Sequence, residues 1–418
     1  MNESGKSHGV RGNVQTDNRL QSLQDDKNRL RIRLLILVIL GLSSFMSSLI
    51  IYPTLPLYIL DIGGTKLELG LILSVSSITV VLMRIPLGIV SHRLGGWNFL
   101  SLSLIGQSVS SFLYAVVPDA GWLYPLRAIH AVAAAVFHPL LISVTSGLVR
   151  REQRGRILSI YLMTPAASMM IGPAVNSFLV ELGGYVATFV VAGFLSFGGF
   201  LISVLTQRAR LFEQADVHFR EAERGSRSKS IVSLLKSLAL SKRLATISIA
   251  RASFSTTDGI FGAIFAIFVV QSLSLPLYMV GLFFAAKGLA NTLVRWPVGI
   301  FADRVGGKKP ALLAFVATAI AFTILSEAQP IWLITVTMVM IGLGWGTRAV
   351  TEWVLVANLP GGSTTIGTAY MATMFDIGEA VGALLAGVLM TFLPLPSIFK
   401  IAALIVAFGV VPLAMTRI

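Results

Sequence analysis

Apolar and polar residues follow one another along this chain in long blocks. Apolar runs lie near 34–60, 68–91, 97–117, 121–148, 156–181 and 184–205, and resume after a polar gap near 245–272, 277–301, 310–328, 331–358, 364–392 and 395–415. A helix needs about 20 mostly apolar residues to cross a bilayer. Backbone in lipid must satisfy its own hydrogen bonds, and these runs are too long for barrel strands, so the pattern predicts helices. The expected fold is therefore an all-α membrane protein with twelve transmembrane helices. Two polar stretches punctuate it. Residues 1–32 read as a mobile polar tail, and 206–243 as a linker between a bundle over 33–205 and a second over 244–418. Within the linker, Ile231, Leu234, Leu235 and Leu238 fall on one helical face with Lys236, Lys242 and Arg243 nearby. That spacing predicts an amphipathic helix lying on a membrane surface.

One line of the sequence is written twice. "RIPLGIVSHRLGGWN" runs from Arg84 to Asn98, and "RWPVGIFADRVGGKK" from Arg295 to Lys309. Both copies sit at the end of a second span, 211 residues apart, and seven of their first thirteen positions are identical. The chain thus reads as two pseudo-symmetric six-helix bundles in parallel orientation, an arrangement suited to alternating access around a central cavity.

Composition removes the soluble alternative. The chain is 55% hydrophobic and 12% charged, with a mean hydropathy of +0.81, against about 25% charged in an ordinary soluble domain. It has no cysteine, which excludes a disulfide framework. The net charge of +14 would suit nucleic acid, but its distribution points elsewhere. Twenty-five of the 33 Lys and Arg lie on the side that carries both termini and the linker, while the opposite loops carry only Lys66. By the positive-inside rule both termini are expected in the cytoplasm, in a multi-pass protein of the cytoplasmic membrane whose basic residues face anionic lipid. Membrane lipids, and not nucleic acid, are the expected macromolecular surroundings. No phosphate-binding loop, metal-ligand cluster or nucleophile elbow is present, so no enzymatic role, cofactor or metal is expected. "GLGWG", Gly342 to Gly346, follows no strand and reads as helix packing.

Ionisable residues inside spans are costly and usually functional. Arg127 and His130 share a face of the fourth run, with His138 two turns beyond. The second half carries Asp258, Arg348, Glu352, Asp376 and Glu379. Arg348 and Glu352 are spaced to pair with each other, and Arg251 stands two turns from Asp258 as its potential partner. Asp376 and Glu379 share one face, and neighbouring carboxylates repel when both are ionised, so such a pair can exchange a proton or attract a cation. Lys287 could neutralise an acid across the cavity, Lys400 could snorkel, and Tyr52, Tyr161, Phe265 and Trp345 could shape an apolar cavity wall.

With twelve runs, a central linker and the repeated line, the chain from about Arg33 onward resembles the major facilitator superfamily. The repeated line is similar to that family's signature between its second and third spans, matched by Gly299, Asp303, Arg304, Gly306, Lys308 and Lys309. The resemblance implies a conformational latch formed by Gly299, Asp303 and Arg304 and, by repeat, Gly88, His92 and Arg93. The glycines would let a neighbouring helix approach closely. His92 replaces the acid of the second copy, so the first latch is either a neutral substitute or sensitive to pH near the ordinary histidine range of about 6.5. "RAIHA", Arg127 to Ala131, resembles a family segment whose arginine is tied to proton coupling, and Gly172–Pro173 match part of an antiporter signature that bends the fifth span.

The functional expectation is a secondary transporter with a small-molecule substrate and protons as partners, exporting amphipathic or cationic compounds. A carrier of an organic anion, metabolite or lipid-like substrate, using Arg127 and Arg348, is the alternative. A non-transporting receptor or scaffold on the same fold is a third.

Overall fold

The computed structural model describes residues 7–94, 96–147, 154–209, 242–327, 330–357 and 364–415. All regular structure among them is helical. The first half comprises α1 (Ser7–Ile51), α2 (Leu55–Asp61), α3 (Lys66–Leu94), α4 (Gly96–Tyr114), α5 (Leu123–Gly147) and α6 (Arg154–Arg208). The second comprises α7 (Lys242–Ile267), α8 (Leu277–Val305), α9 (Lys308–Glu327), α10 (Ile331–Ala357), α11 (Thr364–Phe392) and α12 (Leu395–Met415). The amphipathic helix expected in the linker lies outside the described residues.

Ten stretches among the described residues are long and apolar enough to cross a membrane. The count differs from the expected twelve in two places, each with a local cause. The runs at 156–181 and 184–205 are continuous in α6, whose dihedrals leave the helical range only at Gly183 and Gly184. Gly184 has φ of 65°, a conformation that costs a residue with a side chain and that glycine adopts freely. The run at 97–117 forms α4, which is diluted by five serines, Asn98 and Gln107. Its polar groups are spent inside the bundle: Ser108 donates to the Gly193 carbonyl at 2.9 Å, and Gln107 accepts from Ser44 at 2.8 Å.

The first run also breaks. Proline cannot donate a helical hydrogen bond, and Pro53 falls where α1 ends. The chain restarts as α2, with Pro56 in its first turn. In the other direction α1 extends back to Ser7, so the backbone of the polar leader continues the first helix.

Two pairs of helices make most of the contact between the halves: α3 with α11, and α8 with α6. Small residues allow the approach. A Cβ on Gly70 of α3 would stand 2.7 Å from the Gly387 Cα of α11, and one on Gly288 of α8 would stand 2.5 Å from the Met169 carbonyl of α6. The core shows how the halves meet. One apolar cluster contains residues of both, from Ile51, Tyr58 and Leu69 to Phe261, Phe284 and Phe399, and lies toward the end that carries the loops 62–65 and 115–119. Toward the other end the core divides in two, one cluster around Leu37, Trp97 and Leu141, the other around Leu244, Phe315 and Leu413. Large apolar side chains such as Leu82, Phe178, Leu293 and Phe408 point outward around the bundle, as lipid contact requires.

Candidate functional site

A cavity of about 260 Å³ opens between the halves. Its walls come from α1, α2, α3 and α5 on one side and α7 and α11 on the other. The shared apolar cluster seals it at the loop end, while the divided core leaves the halves separate at the opposite end. Apolar side chains such as Ile51, Leu73 and Ala263 line most of it, and Arg127, His130, Asp376 and Glu379 supply the ionisable groups.

The two acids on α11 have different surroundings. Asp376 is bound by the Arg84 guanidinium of α3, which also donates to Thr373 at 2.9 Å. Among the described residues Glu379 accepts only from the Ser77 hydroxyl, at 3.2 Å. Both contacts cross between the halves. On the opposite wall Arg127 pairs with no acid among the described residues, and its Nε is buried without an acceptor. His130 is buried, its ring tilted on Tyr114 at 5.7 Å and its Nδ1 unpartnered. Tyr52 lines the cavity and stacks edge-on against Phe284 across the seam.

The remaining charges of the second half form a separate group. Glu352 binds Arg348 at 2.7 Å and also binds Arg251 of α7. Arg251 was the potential partner of Asp258; it goes to Glu352 because α7 and α10 bring those two together, and Asp258 instead accepts from the Trp345 indole. Lys287 is buried with its ammonium 4.5 Å from the Phe261 ring centroid and 5.0 Å from that of Trp345. Aromatic faces replace the acid it was expected to neutralise. Arg348 is likewise stacked, 4.8 Å from the Phe254 centroid. Lys400 pairs with Glu327 at 2.6 Å, both exposed, so it is an ion pair at a helix end. Phe265 is core rather than cavity wall, and His138 packs edge-on to Phe45 at 5.4 Å. The side chain of Tyr161 lies outside the described residues.

The latch residues divide in the same way. The side chains of His92 and Arg93, and the surroundings of Gly88, lie outside the described residues. Gly299 was expected to admit a neighbouring helix, but the space around it is open, with nothing within 4 Å of an added Cβ. Asp303 and Arg304 are exposed and carry no ion pair among the described residues. At this end the core is divided between the halves, and the second copy of the line reaches its own half through Lys308, whose ammonium donates to the Ala414 carbonyl at 2.9 Å. The close approach expected of glycine occurs at Gly172 instead, where an added Cβ would sit 2.9 Å from the Leu49 Cβ of α1. The adjacent Pro173 presents its carbonyl to Gly281 of α8. Gly342 and Gly346 pack on the Lys287 and Asn291 carbonyls, a helix contact as expected.

Sequence reasoning missed three participants. Arg84 was visible only as a repeated letter, Ser77 carried no signal, and the Phe261–Phe284–Trp345 enclosure of Lys287 joins three helices.

The family model of the Major Facilitator Superfamily matches residues 37–378 and 247–417. The multi-drug resistance efflux pump PmrA of Streptococcus pneumoniae is 23% identical over 366 residues, covering 86% of this chain and 90% of its own. The quinolone resistance protein NorA of Staphylococcus aureus is 24% identical over 161 residues, 38% of this chain and 41% of its own. Among solved structures, the nucleoside transporter NupG superposes with a TM-score of 0.74 at 16% identity, over 92% of this chain and 99% of its own, a likeness of fold.

Proposed function

The chain belongs to the Major Facilitator Superfamily, and on that premise we propose that it is a proton-coupled exporter of small amphipathic or cationic compounds, working by alternating access. The observation that carries this reading is the Glu379 carboxylate, which lines the inter-half cavity and among the described residues is bound by the Ser77 hydroxyl and by no cation. A carboxylate so placed can hold a proton or a cationic group in turn, and exchange of one for the other couples their movements. Similarity to drug efflux pumps supports the direction and the substrate type. The Lys and Arg bias supports an orientation with both termini in the cytoplasm, within the cytoplasmic membrane and its lipids. In that orientation the sealed end faces outward.

One observation favours a second reading, the carrier of an organic anion: Arg127 lines the cavity without an acid partner. Arg348, the other arginine of that reading, is taken by Glu352 and lies off the cavity. The test is flux of tetraphenylphosphonium in proteoliposomes under an imposed pH gradient. A proton-coupled exporter should drive the cation against its own gradient and stop when a protonophore is added. Flux indifferent to the pH gradient would refute the coupling.

A further inference from the structure

Resting on that reading of the cavity, we propose that its preferred substrates are amphoteric: compact molecules with one cationic and one anionic group, bound end to end between Glu379 and Arg127. Two carboxylates line the cavity, but Asp376 already has its cation in Arg84. Among the described residues Glu379 has none, and from the first half Arg127 faces the same space with no acid partner. Of the described residues that line the cavity, those with a buried polar atom lacking a partner all belong to Arg127's half: Nε of Arg127 itself, Nδ1 of His130 and Oγ of Ser76. The wall of one half thus presents an unneutralised cation and spare polar groups, and the wall of the other an unneutralised anion.

Arg127 and Glu379 are half-buried, and a charge within a membrane span that lacks a counter-charge is costly. Arg127 and Glu379 would relieve each other if they met, but they stand on helices of different halves with the cavity between them. A ligand with a single charge relieves one wall and leaves the other unpaired. A ligand with both relieves both. It also bridges the two halves, so its contacts change when the halves rock, and a ligand can shift a conformational equilibrium only through such differential contact. The other described charges nearby lie off the cavity and are engaged: Arg251, Arg348 and Glu352 pair among themselves, Lys287 lies against aromatic rings, and Asp258 accepts from the Trp345 indole. The volume of about 260 Å³ lies just under the roughly 300–1,000 Å³ of drug-sized ligand pockets, which limits the substrate to a compact molecule.

The test uses purified full-length protein and three probes on one scaffold: an arylpiperazine carboxylic acid, its methyl ester and its N-acetyl derivative. Calorimetric titration should give the amphoteric acid about tenfold or more tighter binding than either derivative, the usual scale of a charge-assisted contact. Arg127→Gln should weaken the acid about tenfold and bring it level with the ester. Glu379→Gln should bring it level with the N-acetyl derivative. Arg127→Lys keeps the charge and should restore most of the preference, which separates charge recognition from damage to the fold. Equal binding of acid and ester by the wild type overturns the proposal, as does failure of all three to bind, or an Arg127→Lys protein that behaves like Arg127→Gln. The wider reading is tested apart from this. Tetraphenylphosphonium has no anionic group, so if a pH gradient drives it while the amphoteric preference is absent, only the present inference falls.

Discussion

The two seams that join the halves are built on the same line of sequence and treat its arginine differently. In the seam of α3 and α11, Arg84 reaches across to Asp376, and Ser77 reaches Glu379. In the seam of α8 and α6, Arg295 occupies the repeat position, yet among the described residues its one hydrogen bond is to Asn291 on its own helix, at 3.4 Å. The facing stretch of α6, residues 165–169, reads PAASM and holds no acid. The packing, by contrast, is shared. Gly70 abuts Gly387 in one seam, and Gly281 abuts Pro173 and Ser177 at the repeat position of the other. Duplication has therefore kept the shape of the contact and let the charge diverge. A transporter whose halves rock needs two seams that slide, but only one needs to register protons or substrate. The seam with an ion pair is suited to that second task, and the acid-free one to serve as a bearing.

The largest effect should come from removing the group that has no counterpart in the other seam. Glu379→Gln keeps the shape and the Ser77 contact while removing the exchangeable charge. Proton-driven export should fall on the order of a hundredfold, the scale on which positioned proton carriers act. Counterflow that needs no net proton movement should persist. Equal loss of both would mean that Glu379 serves the fold and not the coupling.

Next come the glycines, where the two seams should behave alike. Gly70→Leu and Gly281→Leu each drive a side chain into backbone or a neighbouring side chain of the other half. Overpacking of this kind costs about 1–3 kcal/mol. Thermal unfolding of the two variants in detergent should shift downward by similar amounts. A large shift in one and none in the other would show that the seams differ in packing as well as in charge.

Much of this architecture was legible from the sequence because the cues were local. Apolar length marked the spans, the repeated line paired α3 with α8, and the four-residue spacing of Arg348 and Glu352 marked a bond that does form, at 2.7 Å. What escaped notice lay across helices. Arg84 and Asp376 are 292 positions apart, and Arg251 and Glu352 are 101 apart. Nothing in spacing along one helix reveals which neighbour a long side chain will choose. Asp258 shows the cost of reasoning along one helix only: Arg251 was close in sequence, yet the indole of Trp345 was closer in space. The open space at Gly299 escaped for another reason. A glycine can permit a close approach, but whether a helix makes it depends on how far apart the halves stand.

The smallest effect separates the two arginines themselves. Arg84→Gln leaves Asp376 half-buried without its cation, so both the carboxylate and the inter-half bond are disturbed. Proton-driven export should fall several-fold, and Arg84→Gln combined with Asp376→Asn should be no worse than either change alone, because the two residues act as one unit. Arg295→Gln removes a guanidinium that among the described residues bonds only Asn291 of its own helix, so export should change by less than about twofold, the scale of a weak contact on one helix surface. The measurement is initial-rate flux in proteoliposomes for the wild type, the three single variants and the double variant at one pH gradient. If Arg295→Gln were as damaging as Arg84→Gln, the acid-free seam would be sensing charge as well, and the division of labour between the seams would have to be given up.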